Sequence, residues 1–540
     1  MKDISSTGSF INFYLNNYIY VDKTKYIRDL IKLERVFISR PRRFGKSLTL
    51  DTIATLFETG VEPYFKGTWI YDKWTEPTYP VLRLNFLDLD KYSLEHFKQK
   101  LNAIISSFAR DINVKNYEEK VEPEDTIYFL LDELRKEKRQ IVILIDEYDC
   151  QMTANINNET LYKQFQEKIK SFYANLKDKL AIKFLGITGV TRLKDVEIFS
   201  IGSDINDITN DSAYSQMIGF TRDEIKKYYI DYLKLAASYE NNCTVDNVTE
   251  AQIESLLDRL AKNYDGYCFD EFYKKKVFST WSVNKFFQSV VSNKFVYFGE
   301  YWYDNGGLPS ILVNYLKTHE LNIFEYLDKD KFLKVSSDDF KNPTALTTIN
   351  QNVLMCQTGY LTLRSDLNKT STVALGIPNG EIYKALNRLL ANNIFKGNTD
   401  ITDDYGRSLL EVGTVDDIIN LFNSALNSVS YDNYPIVSES SVQNMLKLYL
   451  LGAHQKVLSE LHEAKGRADL VVNTDNRRIV FEFKYAKNDT EAKSKLLDAV
   501  EQIKTRDYGN IVPNKTELLR IAAVFNADPK VRAFTEYQEV

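Results

Sequence analysis

Three short stretches of the chain carry residues whose types and spacing could do chemistry on phosphates. The first, "SRPRRFGKSL" (39–48), ends in Gly45-Lys46-Ser47. A loop of the form G-x-x-x-x-G-K-[ST] holds an anion because successive backbone N–H groups at a helix N-terminus point at it. In such a loop Lys46 would meet the β- and γ-phosphates, and the Ser47 hydroxyl would hold Mg²⁺. The first glycine of the pattern is replaced by Arg40, followed by Pro41, Arg42 and Arg43. Proline's fixed φ offers another route to the tight turn, and Arg42 and Arg43 add charge near the phosphates. The second stretch is "IVILIDEYD" (141–149), an apolar run ending in Asp146-Glu147. That is the Walker B pattern, with Asp146 in the magnesium shell and Glu147 orienting or activating the attacking water.

The third stretch is "GRADLVVNTDNRRIVFEFKYAK" (466–487), where twelve residues separate Asp469 from Glu482. Strand side chains alternate, so Glu482 and Lys484 share one face while Phe483 takes the other. Carboxylates on adjacent strands, Asp469 and Glu482, can bind one or two Mg²⁺, and Lys484 can position or deprotonate a water for attack on a phosphate. Glu439, Glu460, Gln502 and Tyr508 flank the motif. Arg467, Arg477, Arg478, Lys484, Lys487, Lys493 and Lys495 make a local basic patch. A salt-bridged surface pair, or a charged strand edge that discourages pairing, is the competing reading of Glu-x-Lys. A further candidate follows the run "FLGITG" (184–189): Thr188, Thr191 or Arg192, with Arg192 favoured as a γ-phosphate sensor over a plain polar loop.

These residues need elements to hold them. "RVFIS" (35–39), "YPVLRLNF" (79–86), "IVILID" (141–146) and "KLAIKFLGITG" (179–189) read as buried strands, with helical spacing over 94–112 and 124–138. Apolar strands separated by helices predict a parallel sheet covered on both faces. From 222 to about 425 the pattern turns to helices with aromatic-rich connectors. The last stretch returns to α/β: a helix at 440–451, strands at 456–464, 468–474, 477–486 and 518–527, and a helix near 490–505.

At 540 residues the chain exceeds one ordinary core. A net charge of −6 excludes a general polyanion-coating protein, since non-specific nucleic-acid binding rests on many unbalanced Lys and Arg. Four dispersed cysteines and four histidines without ligand spacing argue against a disulfide framework and a structural zinc. Without a signal core or a run of about 18 apolar residues, a cytoplasmic protein with no membrane segment is expected.

The chain resembles the bacterial AAA-ATPase-like proteins whose C-terminal module is a PD-(D/E)XK nuclease-like domain. The resemblance rests on Val21-Asp22-Lys23-Thr24, "RPRRFGKSL" (40–48), "LIDEYD" (144–149), "GITGVTR" (186–192), "YDGY" (264–267), "WSV" (281–283), "GYLTL" (359–363) and "IPNGEI" (377–382). It makes Arg40 a mark of the family and 222–425 a lid and linker. The resulting expectation is an α/β protein with a P-loop NTPase parallel sheet, a helical lid and linker region, and a C-terminal PD-(D/E)XK-type α/β domain. Its expected domains are 1–221, 222–425 and 426–540. ATP would meet Arg40, Arg42, Arg43, Phe44, Gly45, Lys46, Ser47, Leu48, Asp146 and Arg192, with Mg²⁺ at Ser47 and Asp146 and again at Asp469 and Glu482. Catalysis would fall to Glu147, Asp469, Glu482, Lys484 and Glu439. Nucleic acid is the expected partner, DNA ahead of RNA, and a homo-oligomer is compatible with the chain. The competing function is a nucleotide-dependent switch whose nuclease-like domain only binds nucleic acid or a protein.

Overall fold

The computed structural model describes residues 1–177, 180–193, 204–304, 310–316, 319, 323–343, 345–395, 404–453, 455–463, 466–508 and 517–540. The chain divides into two compact units, 1–319 with 332–382 and 320–331 with 383–540. Residues 222–319 and 332–382 therefore belong to the unit that carries Lys46, and residues 320–331 and 383–425 to the unit that carries Asp469.

The first unit is built on a five-stranded sheet in which every pairing is parallel. Its strands are β1 (Arg35–Ser39), β2 (Val81–Asn85), β3 (Ile141–Asp146), β4 (Ile182–Gly189) and β5 (Asn206–Asp207), in the order β2-β3-β4-β1-β5. The runs Arg35–Ser39 and Ile141–Ile145 are wholly buried, which is why they show no polar alternation. Each buried Val, Ile or Phe there contributes about 1.5–3 kcal/mol. The helices Leu94–Asp111 and Pro123–Lys136 cover the sheet with one apolar stripe each, and the Ser93 hydroxyl caps the former by accepting the His96 N–H. Register aligns the strand ends that matter: Ser39 lies beside Gly189, and Ile145 beside Ile187. The loops after β1, β3 and β4 thus leave from one edge of the sheet.

The aromatic-rich part of this unit holds an element that periodicity did not suggest. Strands β6 (Leu333–Ser336), β7 (Thr362–Leu363) and β8 (Thr372–Gly376) form an antiparallel sheet in the order β6-β8-β7. Runs of two to five residues are too short for a period-2 signal to stand out.

The motifs scattered over 21–382 meet around the Arg40–Ser47 loop. The Phe44 ring is buried edge-on against Tyr267, Phe269 and Trp302. Thr280 Oγ1 donates to the Arg43 carbonyl at 2.9 Å, and the Arg43 guanidinium lies 4.2 Å from the Trp281 ring centre. Gly359, at φ +93°, backs onto Pro41; a Cβ there would lie 2.9 Å from the Pro41 Cβ and 3.0 Å from the Trp302 ring. Gly359→Ala is therefore expected to lose about 1–3 kcal/mol of stability. Chemical denaturation of the full chain checks it, and an unchanged midpoint would show that the loop does not need this close approach.

Beneath the same cluster Glu381 is fully buried. Its carboxylate accepts Ser282 Oγ–H at 2.7 Å and Trp302 N–H at 2.8 Å, yet burial pushes its pKa up to about 8. A carboxyl whose folded pKa lies above its unfolded value holds its proton longer in the fold. Its destabilising contribution therefore grows as pH rises from the mid-4s through 8. Glu381→Gln is expected to flatten that decline, measured as melting temperature against pH between about 6 and 9. Parallel pH profiles for the two proteins would remove Glu381 as the cause.

The second unit carries a mixed sheet of β9 (Lys456–Glu463), β10 (Gly466–Asn473), β11 (Arg477–Ala486), β12 (Glu517–Asn526) and β13 (Ala533–Glu539), in the order β13-β12-β11-β10-β9. Only β11 and β12 pair in parallel, and the helix Asp489–Arg506 connects them. Ala499, Val500 and Ile503 of that helix pack on Val471, Val480 and Ala522. Strand β13 was not anticipated, because "AFTEYQE" sits on the sheet edge with its charges exposed.

Candidate functional site

The phosphate-loop site is assembled at the common edge of β1, β3 and β4. Gly45 takes φ +105° at the N-cap of the helix Lys46–Thr59, the conformation that turns the loop's N–H groups inward. Arg43 and Glu147 also take left-handed backbone, at φ +66° and +52°. Ser47 Oγ donates to Asp146 Oδ2 at 2.6 Å, and Thr188 Oγ1 donates to the other oxygen of the same carboxylate. The two Walker elements and the end of β4 therefore share one carboxylate, although 99 residues separate Ser47 from Asp146. The buried Lys46 ammonium donates to the carbonyls of Arg40 (3.0 Å) and Pro41 (3.3 Å) and lies 3.6 Å from Glu147 Oε1. Burial raises the pKa of Glu147 against the pull of Lys46, and the Asp149 and Asp146 charges add to the rise. A carboxyl so placed suits proton abstraction from a water.

Arg42, Arg43, Phe44, Gly45, Lys46, Ser47 and Leu48 all line one cleft of ≈ 360 Å³, with Glu147 on its wall. Val21 of the Val21-Asp22-Lys23-Thr24 motif also lines it, with Ile19, Ile218 and Phe220, which the sequence reading did not single out. Arg40 and Arg192 are not among its lining residues. Arg40 is buried behind the loop: its Nη1 donates to the Ser39 (2.9 Å) and Thr209 (2.6 Å) carbonyls, its guanidinium lies 4.1 Å from the Phe269 ring centre, and burial lowers its pKa to about 9. It thus braces the turn where the usual motif has glycine. Arg192 pairs with Asp207 and donates to the Lys341 carbonyl. Asp149, also unanticipated, accepts from the N–H (2.7 Å) and hydroxyl (2.5 Å) of Thr191 and so pins the loop after β4. The signal was an acid three residues past Asp146, which a buried site must satisfy.

In the second unit, adjacent strands β10 and β11 bring Asp469, Glu482 and Lys484 together. Asp469 Oδ2 accepts the Phe483 N–H at 2.8 Å. Glu482 is fully buried on the face covered by the helix Asp489–Arg506; its Oε1 accepts from Lys484 Nζ at 2.8 Å, and its Oε2 has no hydrogen-bond partner among the described residues. Burial, then the Asp469 charge, raises the Glu482 pKa to about 7, with Lys484 opposing. Burial works against the Lys484 ammonium, but its bond to Glu482 and the nearby carboxylates outweigh it and the pKa rises. Glu439, first residue of the helix Glu439–Gly452, lies 3.4 Å from Lys484 Nζ. Gln443, one turn further on that helix, donates to the Asp469 carbonyl. Its signal was the i, i+4 spacing from Glu439.

Gln502 and Arg506 both donate to the Tyr508 hydroxyl, at 3.3 and 2.9 Å. The basic patch is less unified than its residues suggested. Arg477 is buried and bonded to Glu517 and the Gly413 carbonyl, and Lys495 reaches the Tyr485 carbonyl. Lys487 and Lys493 are exposed. The side chains of Glu460 and Arg467 lie outside the described residues. No group of three or more His, Cys, Asp or Glu side chains able to hold a metal occurs among the described residues. An ion between Asp469 and the unpartnered Glu482 Oε2 would thus complete its shell with waters and substrate oxygens, as Mg²⁺ does.

Comparison with known proteins finds two family models that match separate parts of the chain. Residues 5–199 match the family model described as predicted AAA-ATPase, and residues 437–535 match that of the PD-(D/E)XK nuclease superfamily. An uncharacterized protein in the vnfD 5′ region of Azotobacter chroococcum mcd 1 is 26% identical over 533 residues, covering 95% of this chain and 94% of that protein. Among solved structures, Cdc6p from Pyrobaculum aerophilum aligns at 11% identity over 68% of this chain and 92% of its own, with a TM-score of 0.22. The Aeropyrum pernix Orc1 protein, solved in complex with DNA, aligns at 10% identity over 69% and 95%, with a TM-score of 0.26. No described helix is long and apolar enough to cross a membrane. The chain carries an AAA-ATPase-like module over residues 5–199 and a domain of the PD-(D/E)XK nuclease superfamily over residues 437–535.

Proposed function

We propose that the protein binds and hydrolyses ATP in its first unit and, in the cytoplasm, cuts nucleic acid, DNA ahead of RNA, with a Mg²⁺-dependent site in its second. The observation that carries the reading is the intact set Asp469, Glu482 and Lys484 on adjacent strands, with Glu439 beside Lys484 and a buried Glu482 Oε2 that has no hydrogen-bond partner among the described residues. In the first unit the loop N–H groups and Lys46 bind the phosphates, Ser47 and Asp146 hold the magnesium shell, and Glu147 takes a proton from water. Tyr229, Trp281 and Asn284, within 222–425, line the same cleft and support a lid role for that region. In the second unit Asp469 and Glu482 would hold the ion, which when bound would supply charge stabilisation to the phosphate under attack. Lys484 orients the water, and Glu439 keeps that ammonium in place.

A cleavage panel on single- and double-stranded DNA and RNA, with and without ATP, tests the proposal. Wild type should cut only with Mg²⁺ or Mn²⁺. Lys46→Ala should lose ATP hydrolysis. Full Mg²⁺-dependent cleavage by a verified, folded Asp469→Ala protein would sink the nuclease assignment.

A further inference from the structure

The first unit has a second cleft, of ≈ 390 Å³, that neither the phosphate loop nor the nuclease set explains. Phe13, Ile19 and Tyr20 line both this cleft and the phosphate cleft, so the two lie on either side of one wall. Four tyrosines with solvent access, Tyr14, Tyr18, Tyr64 and Tyr228, line the new one. Tyr14 is 45% exposed and meets Tyr64 edge-on, ring centres 5.6 Å apart. The four phenol hydroxyls donate no hydrogen bond to described residues, so the rings are not held there by a polar network.

Charge is arranged to match. Lys2, Lys66 and Lys227 are exposed lining residues, and the Lys227 ammonium lies 5.0 Å from the Tyr228 ring centre. Asp22 and Asp231 also line the cleft. The Asp22 carboxylate, however, is occupied by the Thr24 N–H, the Thr24 hydroxyl and the Trp69 N–H, at 2.6–2.9 Å. Neutral donors leave Asp22 its charge, so three lysines face two carboxylates and the lining keeps a positive balance. The wall is built rather than frayed: Tyr232 Oη donates to the Lys2 carbonyl, Ile19 N–H to the Asp3 carbonyl, and Gln288 Nε2 to the Ile4 carbonyl.

We propose that this cleft binds single-stranded nucleic acid, with bases on the tyrosine faces and phosphates on Lys66 and Lys227. Accessible aromatic faces beside lysines take unstacked bases regardless of sequence. A duplex keeps its bases stacked and offers only its backbone. An acidic peptide would use the lysines and leave four phenol faces unused. The proposal does not rest on cleavage, because binding can be read with the metal chelated.

The test is fluorescence anisotropy on the full chain in EDTA, with labelled oligo-dT and oligo-rU of about twenty nucleotides and a duplex of equal length. Tyr14→Ala with Tyr64→Ala, and separately Lys66→Glu with Lys227→Glu, should each weaken single-strand binding at least about tenfold. ATP affinity and melting temperature should stay at the wild-type values, since the lysines and Tyr14 are exposed. A Lys487→Glu, Lys493→Glu control in the other unit should retain most of the binding. The proposal is overturned if both cleft variants bind oligo-dT within about twofold of wild type, or if only the control variant loses binding. Loss of cleavage in Mg²⁺ with cleft binding intact would count against the nuclease reading alone.

Discussion

Replacing Asp469 with asparagine is expected to lower Mg²⁺-dependent cleavage by about a thousandfold or more while the domain stays folded. Asparagine is isosteric, and its oxygen can still accept the Phe483 N–H that Asp469 Oδ2 accepts at 2.8 Å. What disappears is the negative charge that would share a metal with Glu482. Removing it also relieves Glu482 of the like charge that helps to raise its pKa. The comparison with Lys484→Met is informative because that change should cost both activity and stability. Glu482, fully buried, would lose its partner at 2.8 Å, and an uncompensated buried carboxylate costs on the order of 3–5 kcal/mol unless it takes up a proton. Cleavage rates and melting temperatures of the two variants, measured side by side, separate a chemical role from a structural one. Equal destabilisation by both would show that Asp469 is mainly a strap for β11.

Glu147→Gln should lower ATP turnover by about 10²- to 10⁴-fold and leave ATP binding intact. The Glu147 carboxylate faces Lys46 at 3.6 Å, and its backbone N–H, which the variant keeps, donates to Asp146 Oδ1 at 3.0 Å beside the Ser47–Asp146 bond that organises the loop. The amide keeps the shape but cannot accept a proton from water. Lys46→Ala should fail earlier, at binding. Single-turnover hydrolysis and nucleotide titration on both variants distinguish the steps. Wild-type turnover by the glutamine variant would remove Glu147 from the chemistry and leave Lys46 as its only function.

The P-loop sheet was legible because its strands are buried on both faces. "RVFIS" and "IVILID" have no reason to alternate, and their lengths match the strands found. The nuclease motif was legible because strand alternation places Glu482 and Lys484 together whatever surrounds them. The opening oddity, Arg40 in place of glycine, was not. The resemblance placed Arg40 among the residues that ATP would meet, and the fold buries that guanidinium under the loop against Phe269 and two carbonyls. Arg192 went the same way, toward Asp207, a residue on a two-residue strand too short to anticipate.

Local sequence determined which segments would be strands, where the Lys46 helix starts, and which residue types meet on one strand face. Those properties depend on dihedral preference and on periods of 2 and 3.6, which act over a few residues. Tertiary structure alone decided which long-range groups satisfy each buried charge: Asp146 with Ser47 and Thr188, Asp149 with Thr191, Arg192 with Asp207, Glu381 with Ser282 and Trp302. Such pairings join residues 15 to 99 positions apart, and desolvation makes each one obligatory only after the strands and helices have packed.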